Sequence, residues 1–316
     1  MDNSIISIDN ISKFYGKHQA VKNLNLQINR GEIFGLLGPN GAGKSTTILM
    51  LMGMTEATEG HIRIAGLDPQ REPVSVKRII GYLPDNVGFY DNMSALDNLT
   101  FIAQLNGATA AAAYAHAITM LEKVNLSAVK DNKVGTFSRG MKQRLGLAEV
   151  LIKKPQIIIL DEPTLGLDPV GVQEFLQLIK SLKEEEGLTV LLSSHHLHHV
   201  QKICDRVGLF ADGVMRKCGT INELSADILD GTVNRYQIEV VDSAENIREI
   251  IHSRLRSSLP QIDIRTQEKT IYVQGESLSM DILWSHLKDF ENYIVRTERS
   301  GNTIDDIYSY YLDRKH

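Results

Sequence analysis

Short apolar segments that alternate with helix-forming segments are the feature that most constrains the fold of this chain. Residues 33–37, 157–160 and 188–194 are apolar along almost their whole length. A strand of this kind is typically buried on both faces of a sheet. Helical patterns follow at residues 44–54 and 171–186. Strands that alternate with helices predict an α/β fold with a mainly parallel sheet covered on both faces.

The glycine-rich run GPNGAGKS, residues 38–45, stands between the first of these strands and the helix that follows it. It fits G-x-x-x-x-G-K-[ST] in full, in the strand–loop–helix context that the motif requires. Its backbone N–H groups would surround phosphates, Lys44 would reach the β and γ phosphates, and the Ser45 hydroxyl would bind Mg²⁺. We therefore expect a P-loop NTPase with a nucleoside triphosphate and Mg²⁺ as its ligands.

Composition and charge exclude several classes of partner. The 316 residues are 42% hydrophobic and 23% charged, as in globular proteins of about two domains. A formal net charge of -5 lacks the basic excess of nucleic-acid-binding proteins, so we expect no nucleic acid partner. Cys204 and Cys218 have no metal-binding spacing, and we expect two buried thiols in a reduced cytosolic compartment. No segment approaches the roughly 18 apolar residues of a membrane span, which predicts a peripheral association with any membrane.

Two carboxylates follow the apolar strand at residues 157–160. Asp161 and Glu162, in IIILDEP, stand at the carboxyl end of that strand, where ligands collect in open α/β sheets. Asp161 would hold Mg²⁺ through water. Glu162 would point the opposite way in extended geometry and reach a water in line with the γ-phosphate. A helix N-cap is the structural alternative, and the presence of a P-loop makes it the weaker one.

A second phosphate-binding turn lies in FSRGMKQRL, residues 137–145. Ser138 and Gly140 begin a basic helix, and a helix N-terminus presents N–H groups and a positive dipole to an anion. One P-loop binds one triphosphate, whose other face stays open. We expect Ser138 and Gly140 of a second, head-to-tail copy to meet the γ-phosphate from that open face.

Four motifs in a fixed order, GPNGAGKST, FSRGMKQRL, ILDEPTLGLDP and SSHH, resemble those of the ATP-binding subunit of an ABC (ATP-binding cassette) transporter. The resemblance covers the first two-thirds of the chain. It implies a P-loop NTPase of the ABC cassette type, with N-terminal antiparallel strands beside the mainly parallel sheet and a helical subdomain at about residues 86–155. It also implies that ATP is bound by an adenine-stacking tyrosine and by the phosphate loop, namely Tyr15, Gly38, Pro39, Asn40, Gly41, Ala42, Gly43, Lys44, Ser45 and Thr46.

The resemblance further implies roles in catalysis and in dimerisation. Glu162 matches the general base, His195 the switch histidine that senses the γ-phosphate, and Asp161 the magnesium-associated acid. The residues that match the surface acting on the ATP of the second subunit are Ser138, Arg139, Gly140 and Asp168. The partners implied are membrane-spanning permease subunits on separate chains and a second ATP-binding subunit, with a homodimer favoured over a heterodimer. The location implied is the cytoplasmic face of the cell membrane.

Two positions depart from the family's pattern. The signature is FSRGM instead of LSGGQ, although the serine and the second glycine that contact phosphate are kept. In GYLPD, Asp85 replaces a glutamine that reaches Mg²⁺ and the attacking water. We expect Asp85 to act there in catalysis and on Mg²⁺, through a bridging water because its side chain is short. Similar acidic replacements, and a C-terminal domain, are features of the branch that exports drugs, antibiotics, polysaccharides or ions.

Two features stay open between a functional and a structural interpretation. In HHLHH, His195 and His199 are one helical turn apart, as they would be in a metal-binding tract. We favour the alternative interpretation, which is an exposed helix. Phe89, Tyr90 and Met93 either dock a permease helix or anchor the helical subdomain to the sheet.

After residue 231 the predicted order is strand, helix, strand, strand, helix, strand, which predicts a small α+β ferredoxin-like domain followed by a last helix in TIDDIYSYYLDR. We place the boundary near residue 228, giving a cassette at 1–228 and an accessory domain at 229–316. Two other functions stay open: an ABC ATPase that does not transport, and an ATP-dependent regulatory module whose sensor is this domain. A GTPase is disfavoured, since the chain has no NKxD motif for guanine.

Overall fold

The chain forms two compact units, residues 1–219 and 220–316. The computed structural model describes residues 3–196, 201–229, 233–241, 245–267, 269–276, 278–300 and 311. The boundary between the units precedes the position proposed near residue 228, because the helix Ile221–Leu229 belongs to the second unit. None of the described helices combines the length and the hydropathy of a membrane-spanning segment.

The first unit begins with three consecutive strands and then combines strands with helices. Its described strands are β1 Ser4–Tyr15, β2 His18–Asn29, β3 Ile33–Leu37, β4 Glu59–Ile64, β5 Ile80–Leu83, β6 Ile157–Asp161, β7 Thr189–Ser194, β8 Arg206–Ala211 and β9 Val214–Gly219. Its described α-helices are α1 Lys44–Leu51, α2 Pro73–Ile79, α3 Ala95–Leu105, α4 Ala110–Lys123, α5 Arg139–Leu151 and α6 Pro169–Glu186. Two 3₁₀ turns, Ser127–Val129 and Val134–Thr136, connect α4 to α5.

A six-stranded sheet in the order β5-β6-β7-β3-β8-β9 forms the centre of the first unit. All its neighbours pair in parallel except β8 and β9, which are antiparallel. Every residue of β3, β6 and β7 is buried, as expected for strands covered on both faces. The predicted mainly parallel sheet is therefore confirmed.

A second sheet, antiparallel and in the order β2-β1-β4, encloses the core of the first unit. Ile6 and Ile8 of β1 and Leu24 of β2 belong to the same apolar cluster as Phe34 of β3 and Ile48 of α1. The cluster thus joins this sheet, α1 and one face of the six-stranded sheet. It anchors both ends of the loop between β3 and α1, whose residues 39–41 are exposed.

The helices α3, α4 and α5 form the predicted helical subdomain, and side chains define where each begins. Ser94 caps α3 in a capping box with Asp97, Thr109 caps the Ala-rich α4, and Ser138 caps α5. Each hydroxyl accepts a backbone N–H that would otherwise lack a partner in the first helical turn.

The segment before α3 is held by Asn98. Its buried side-chain amide accepts from Tyr90 N at 3.0 Å and donates to Tyr90 O at 3.2 Å. Phe89 and Met93 are half-buried, whereas Tyr90 is 57% exposed and meets the Phe101 ring edge-on at 5.5 Å between centroids. This geometry is compatible with anchoring of the subdomain and with docking of a partner.

The second unit has the predicted ferredoxin-like order. Its described elements are α7 Ile221–Leu229, β10 Val233–Val240, α8 Glu245–Ser258, β11 Asp263–Gln267, β12 Thr270–Glu276, α9 Met280–Leu287, a 3₁₀ helix at Lys288–Tyr293, and β13 Ile294–Ser300. The strands form one antiparallel sheet in the order β11-β12-β10-β13. Apolar residues of β10, β12, α8 and α9 form its separate core. The last predicted helix, in residues 303–314, lies outside the described residues apart from Tyr311.

Three local details differ from the sequence predictions. The helix after the phosphate loop ends at Leu51, three residues before position 54, and α6 begins at Pro169 because Asp168 caps it. Cys204 and Cys218 are free. Burial raises the pKa of the Cys204 thiol, which packs against Gly35 of β3, whereas Cys218 is only partly buried and its predicted burial was wrong. Cys218 lies on the edge strand β9, which leaves its thiol beside the Arg206 guanidinium at 3.4 Å from Nη2 to Sγ.

The helix α5 packs against β5 without space for added atoms. A Cβ at Gly81 of β5 would overlap Val150 Cγ1 of α5, and a Cβ at Gly146 of α5 would lie 2.5 Å from Leu83 Cδ1. This contact therefore fixes the position of α5 relative to the sheet.

We expect Gly81→Ala to lower the free energy of unfolding by about 1–3 kcal/mol, because the new methyl group overpacks the contact with Val150. Gly88→Ala is the matched control, since nothing lies within 4 Å of a Cβ at that position. Both substitutions restrict the unfolded chain in the same way. The difference between their free energies of unfolding, measured by urea denaturation, therefore reports the cost of overpacking. Equal stability of the two variants would contradict the tight contact.

Candidate active site

The phosphate loop connects β3 to α1 at the carboxyl edge of the six-stranded sheet. Gly38 N donates to Ser194 O at 3.2 Å, which ties the start of the loop to the end of β7. Gly41 and Gly43 have φ of 80° and 107°, and Gly43 is the N-cap of α1 without any side-chain cap. The first turn of α1 therefore keeps its N–H groups available for an anion.

Lys44 is turned back onto its own loop. Its side chain is 5% exposed, and Nζ donates to Gly38 O at 2.7 Å and to Pro39 O at 3.2 Å. Nζ also lies 3.3 Å from Glu162 Oε1, an ion pair that lacks hydrogen-bond geometry. The Lys44 ammonium group is thus held by two carbonyl oxygens and one carboxylate. An anion that binds the ammonium group more strongly can replace all three.

The end of β6 brings Asp161 next to Ser193 of β7. Ser193 Oγ donates to Asp161 Oδ1 and accepts from Glu162 N at 3.1 Å. Burial raises the pKa of the Asp161 carboxyl above its ordinary value. Hydrogen bonds from Ser193 and Ser45 oppose this rise, and the charges of Glu162 and Asp85 add to it. Ser45, Asp161 and Asp85 are therefore close neighbours.

Tyr82 of β5 is a member of this cluster that sequence analysis missed. Burial, with smaller contributions from the charges of Asp161 and Asp85, raises the pKa of its phenol to about 12. Ser193 was missed as well, since a serine at the end of an apolar strand carries no motif. Asp85 is exposed and lines the same cavity as Asp161.

Glu162 links the loop lysine to His195. The backbone at Glu162 has φ of 48°, so the extended geometry expected after Asp161 does not continue, and the alternation argument was wrong for this residue. Even so, its carboxylate points into the site. His195 Nδ1 is 2.8 Å from Glu162 Oε2, and His195 N donates to the same oxygen at 3.3 Å. The second oxygen, Oε1, is buried without a hydrogen-bond partner.

A cavity of about 580 Å³ collects most of the predicted ATP-binding and catalytic residues. It is lined by Tyr15, Asn40, Gly41, Ala42, Gly43, Lys44, Ser45, Thr46, Asp85, Asp161, Glu162 and His195, and also by His18, Ala20 and Leu165, which sequence analysis did not select. Tyr15 is 48% exposed at its rim, with Lys13 Nζ 4.9 Å from the ring centroid. Gly38 and Pro39 do not line the cavity but bind Lys44 through their carbonyls.

The residues predicted to act on a second subunit lie apart from that cavity. Ser138, Gly140 and Asp168 line a different cavity of about 390 Å³, between α5 and α6. Ser138 and Asp168 each cap a helix, accepting from Met141 N at 3.3 Å and from Gly171 N at 3.4 Å. Among the described residues, then, one chain does not bring its signature turn to its own phosphate loop.

No three described His, Cys, Asp or Glu side chains form a cluster of the kind that holds a metal ion. His195 stacks on His196 at 3.9 Å between ring centroids. His198 and His199, the other members of the possible histidine tract, lie outside the described residues.

Comparisons with known proteins agree on one family. Residues 21–165 match the family model described as ABC transporter. The linearmycin resistance ATP-binding protein LnrL of Bacillus subtilis (strain 168) is 37% identical over 240 residues, which are 76% of this chain and 77% of that protein. The bacitracin transport ATP-binding protein BcrA of Enterococcus faecalis is 31% identical over 306 residues, 96% of this chain and 95% of that protein. The dimeric ATP-binding cassette MJ0796, in a post-hydrolysis state with ADP and Pi, superimposes with a TM-score of 0.62 at 27% identity, covering 68% of this chain and 98% of that one.

We expect Ser193→Ala to lower the free energy of unfolding by about 1.5–3 kcal/mol, because the Asp161 carboxylate loses its charge-assisted hydrogen bond in a buried position. Ser181→Ala is the control, since that hydroxyl donates only to Gln177 O of its own helix. Urea denaturation followed by circular dichroism measures both variants. Equal stabilities would show that Ser193 does not support Asp161.

Proposed function

Since the chain belongs to the ABC transporter family, as an ATP-binding subunit that hydrolyses ATP, we propose that two copies close head-to-tail around two MgATP and drive separate membrane-spanning permease subunits. The proposed ATP-binding and catalytic residues line one cavity of the chain, and the signature turn lines another. This separation supports an active site to which a second copy contributes its signature turn. The dimeric arrangement of the cassette MJ0796 supports the same proposal.

The observation that carries the catalytic proposal is the Glu162 oxygen that has no hydrogen bond. Oε1 is a buried acceptor whose one neighbour of opposite charge among the described residues is Lys44 at 3.3 Å, while Oε2 is held by His195. A carboxylate that is fixed by one oxygen, and whose other oxygen accepts no hydrogen bond, can accept a proton from a water that attacks the γ-phosphate once the lysine moves away. His195 acts through Glu162, because its Nδ1 and its backbone N–H orient that carboxylate.

The residues present fit Mg²⁺. This cation binds oxygen ligands, usually one or two carboxylates together with phosphate and water, and it needs no cage of protein side chains. The neighbouring oxygens of Ser45 and Asp161, with Asp85 in the same cavity, are such a set, and a cation would offset the burial and the smaller charge repulsion that raise the pKa of Asp161. When bound, Mg²⁺ neutralises charge on the β and γ phosphates.

Lys44 exchanges partners when ATP binds. Its two carbonyl contacts are neutral, so the β and γ phosphates are the stronger partners for the ammonium group. When Lys44 leaves Glu162 and pairs with phosphate, the Glu162 carboxylate becomes free to accept a proton from the attacking water. The phosphate loop supplies backbone N–H groups, and Tyr15 at the rim of the cavity stacks on adenine.

The second copy completes each site. Ser138 Oγ and Gly140 N–H, at the N-terminus of α5, approach the γ-phosphate from its open face, and Asp168 lies beside them in the same cavity. Arg139, the first residue of α5, borders this surface without contacting the phosphate. Each ATP then contacts both copies and stabilises the closed dimer over the open one. Hydrolysis removes that bridge, and the dimer reopens. A homodimer suffices, because one chain carries both surfaces.

A basic cavity in the first unit is the proposed permease-docking surface. It has a volume of about 790 Å³ and is lined by Lys77, Arg78, His116 and Lys153, with apolar Val74 at its rim and no acidic side chain among the described lining residues. The Lys153 ammonium donates to Lys77 O at 3.1 Å, which holds the two walls together. Such a cavity fits a permease segment with acidic side chains. Phe89, Tyr90 and Met93, which precede α3 of the helical subdomain, would add an apolar contact.

Relatives named for linearmycin resistance and bacitracin transport support export as the direction of transport. Docking on a permease would hold the chain at the cytoplasmic face of the cell membrane.

We expect Glu162→Gln to bind ATP but to slow hydrolysis by about 10²–10⁴-fold, because the amide cannot accept the proton of the attacking water. The same variant should accumulate as an ATP-bound dimer in analytical ultracentrifugation with MgATP. Glu184→Gln, at an exposed position of α6, is the control and should keep normal turnover.

Adding Ser138→Arg to the Glu162→Gln chain tests the contact in trans. The bulky side chain should block the dimer while each monomer still binds ATP. If Glu162→Gln retains near-normal turnover, Glu162 is not the base. If Ser138→Arg removes ATP binding by the monomer, the signature turn acts within one chain.

We expect Arg78→Glu to weaken association with a permease at least about tenfold, because it places a like charge opposite the acidic segment. ATP hydrolysis by the isolated subunit should not change. Arg71→Glu is the control, since Arg71 does not line the cavity. The measurement is the amount of permease that co-purifies with each variant; equal recovery from both would rule out docking at this cavity.

A further inference from the structure

Arg139 lies face-on against the backbone of the loop that follows Glu162. A Cβ built on Gly166 would be 2.9 Å from Cζ, from Nε and from Nη1 of Arg139. Three atoms of a planar guanidinium at one distance mean that its face, not its edge, covers that position. Gly166 also has φ of 72°, which side chains rarely adopt. The second residue of the signature turn therefore packs on the loop at residues 163–168.

No acid accounts for this placement of Arg139. Arg144, further along α5, pairs with Glu174 of α6, whereas Arg139 makes no ion pair or side-chain hydrogen bond with another described residue. Arg139 is itself exposed. Among the described residues, the approach to Gly166 is therefore not imposed by an ion pair of Arg139.

The loop carries one of the groups proposed to meet the second copy. It begins directly after Glu162 and ends at Asp168, the N-cap of α6, with short turns closed by Leu165 N to Glu162 O at 3.1 Å and Leu167 N to Thr164 O at 3.3 Å. A Cβ on Gly140 would lie 3.7 Å from Leu167 Cδ2, so the loop and the first turn of α5 are already in contact. The Arg139 stack extends this contact toward solvent.

We propose that Arg139 is a positioning residue, which fixes the loop at residues 163–168 against the first turn of α5 so that Ser138, Gly140 and Asp168 meet the second copy as one preformed surface. The inference rests on the head-to-tail dimer proposed above. A surface ordered before association loses less conformational entropy when the dimer forms. The planar guanidinium suits this role, because a lysine ammonium cannot stack flat on a peptide backbone.

The test uses the full chain with Glu162→Gln, so that MgATP accumulates the dimer. We expect Arg139→Ala to weaken the dimer about tenfold in analytical ultracentrifugation, while ATP binding by the monomer is unchanged in equilibrium dialysis. Arg139→Lys should weaken the dimer nearly as much, since it keeps the charge and loses the planar group. Full affinity in the lysine variant would show that charge, not stacking, is what matters, and would overturn the proposal.

Turnover separates positioning from catalysis. In chains that keep Glu162, Arg139→Ala should raise the protein concentration needed for half-maximal hydrolysis by about the same tenfold, and turnover at saturating protein should approach the original value. A lower plateau with an unchanged concentration dependence would assign Arg139 to the chemical step and overturn the positioning role.

A double-mutant cycle with Gly166→Ala tests the contact itself. In the original chain the new methyl group meets the guanidinium and the strained backbone; with Arg139→Ala only the strain remains. Gly166→Ala should therefore destabilise the Arg139→Ala chain less than the original in urea denaturation. Gly187→Ala, at φ of 65° with nothing within 4 Å, is the control and should be additive with Arg139→Ala. Additive effects at Gly166 would overturn the stacking.

The outcomes distinguish the two proposals. If the Glu162→Gln chain forms no dimer with MgATP, both proposals fail. If it dimerises and Arg139→Ala dimerises as tightly, only the inference about Arg139 fails.

Discussion

The parallel register of β5, β6, β7 and β3 is the constraint on which the site depends. It pairs Leu37 with Ser194 and Asp161 with Ser193, so the carboxyl ends of these strands lie at one edge of the sheet. The phosphate loop, the two acids and the histidine that follow these strands then meet without any local signal that brings them together. A shift of one strand by one residue would turn its side chains to the other face of the sheet and dissolve the cluster.

The same register brings several carboxylates close together at a partly buried position. Asp85, Asp161 and Glu162 line one cavity together with Lys44, and burial of Asp161 makes the repulsion between their charges stronger. Without nucleotide the chain relieves this with Lys44, with the Ser193 hydroxyl and with His195. In the proposed mechanism, binding of MgATP is thus an exchange of partners at a site that is already formed, in which Lys44 would pair with the phosphates and the acids with the cation.

The two surfaces of the cassette are joined within the chain by a short loop. It runs from Glu162, which lines the cavity at the phosphate loop, to Asp168, which lies on the surface proposed to face the second copy. A displacement at one end is carried to the other only if the loop is held along its length. Its contacts with α5 hold it, and α5 is in turn packed tightly on β5, the strand that leads to Asp85. The cavity at the phosphate loop and the helical subdomain are therefore joined by closely packed segments.

The sequence by itself determined the order of strands and helices, the phosphate loop and the acids at the end of β6, because periodicity and glycine spacing are local properties of a chain. It also determined which side chains could bind ATP. Only the tertiary structure decided how they are held: Ser193 on Asp161, the left-handed backbone of Glu162, and Arg139 on Gly166. These contacts join residues that are distant along the chain, or they depend on one backbone angle. No local sequence pattern therefore predicts them. They arise when parallel strands and packed helices bring separate segments to the same place.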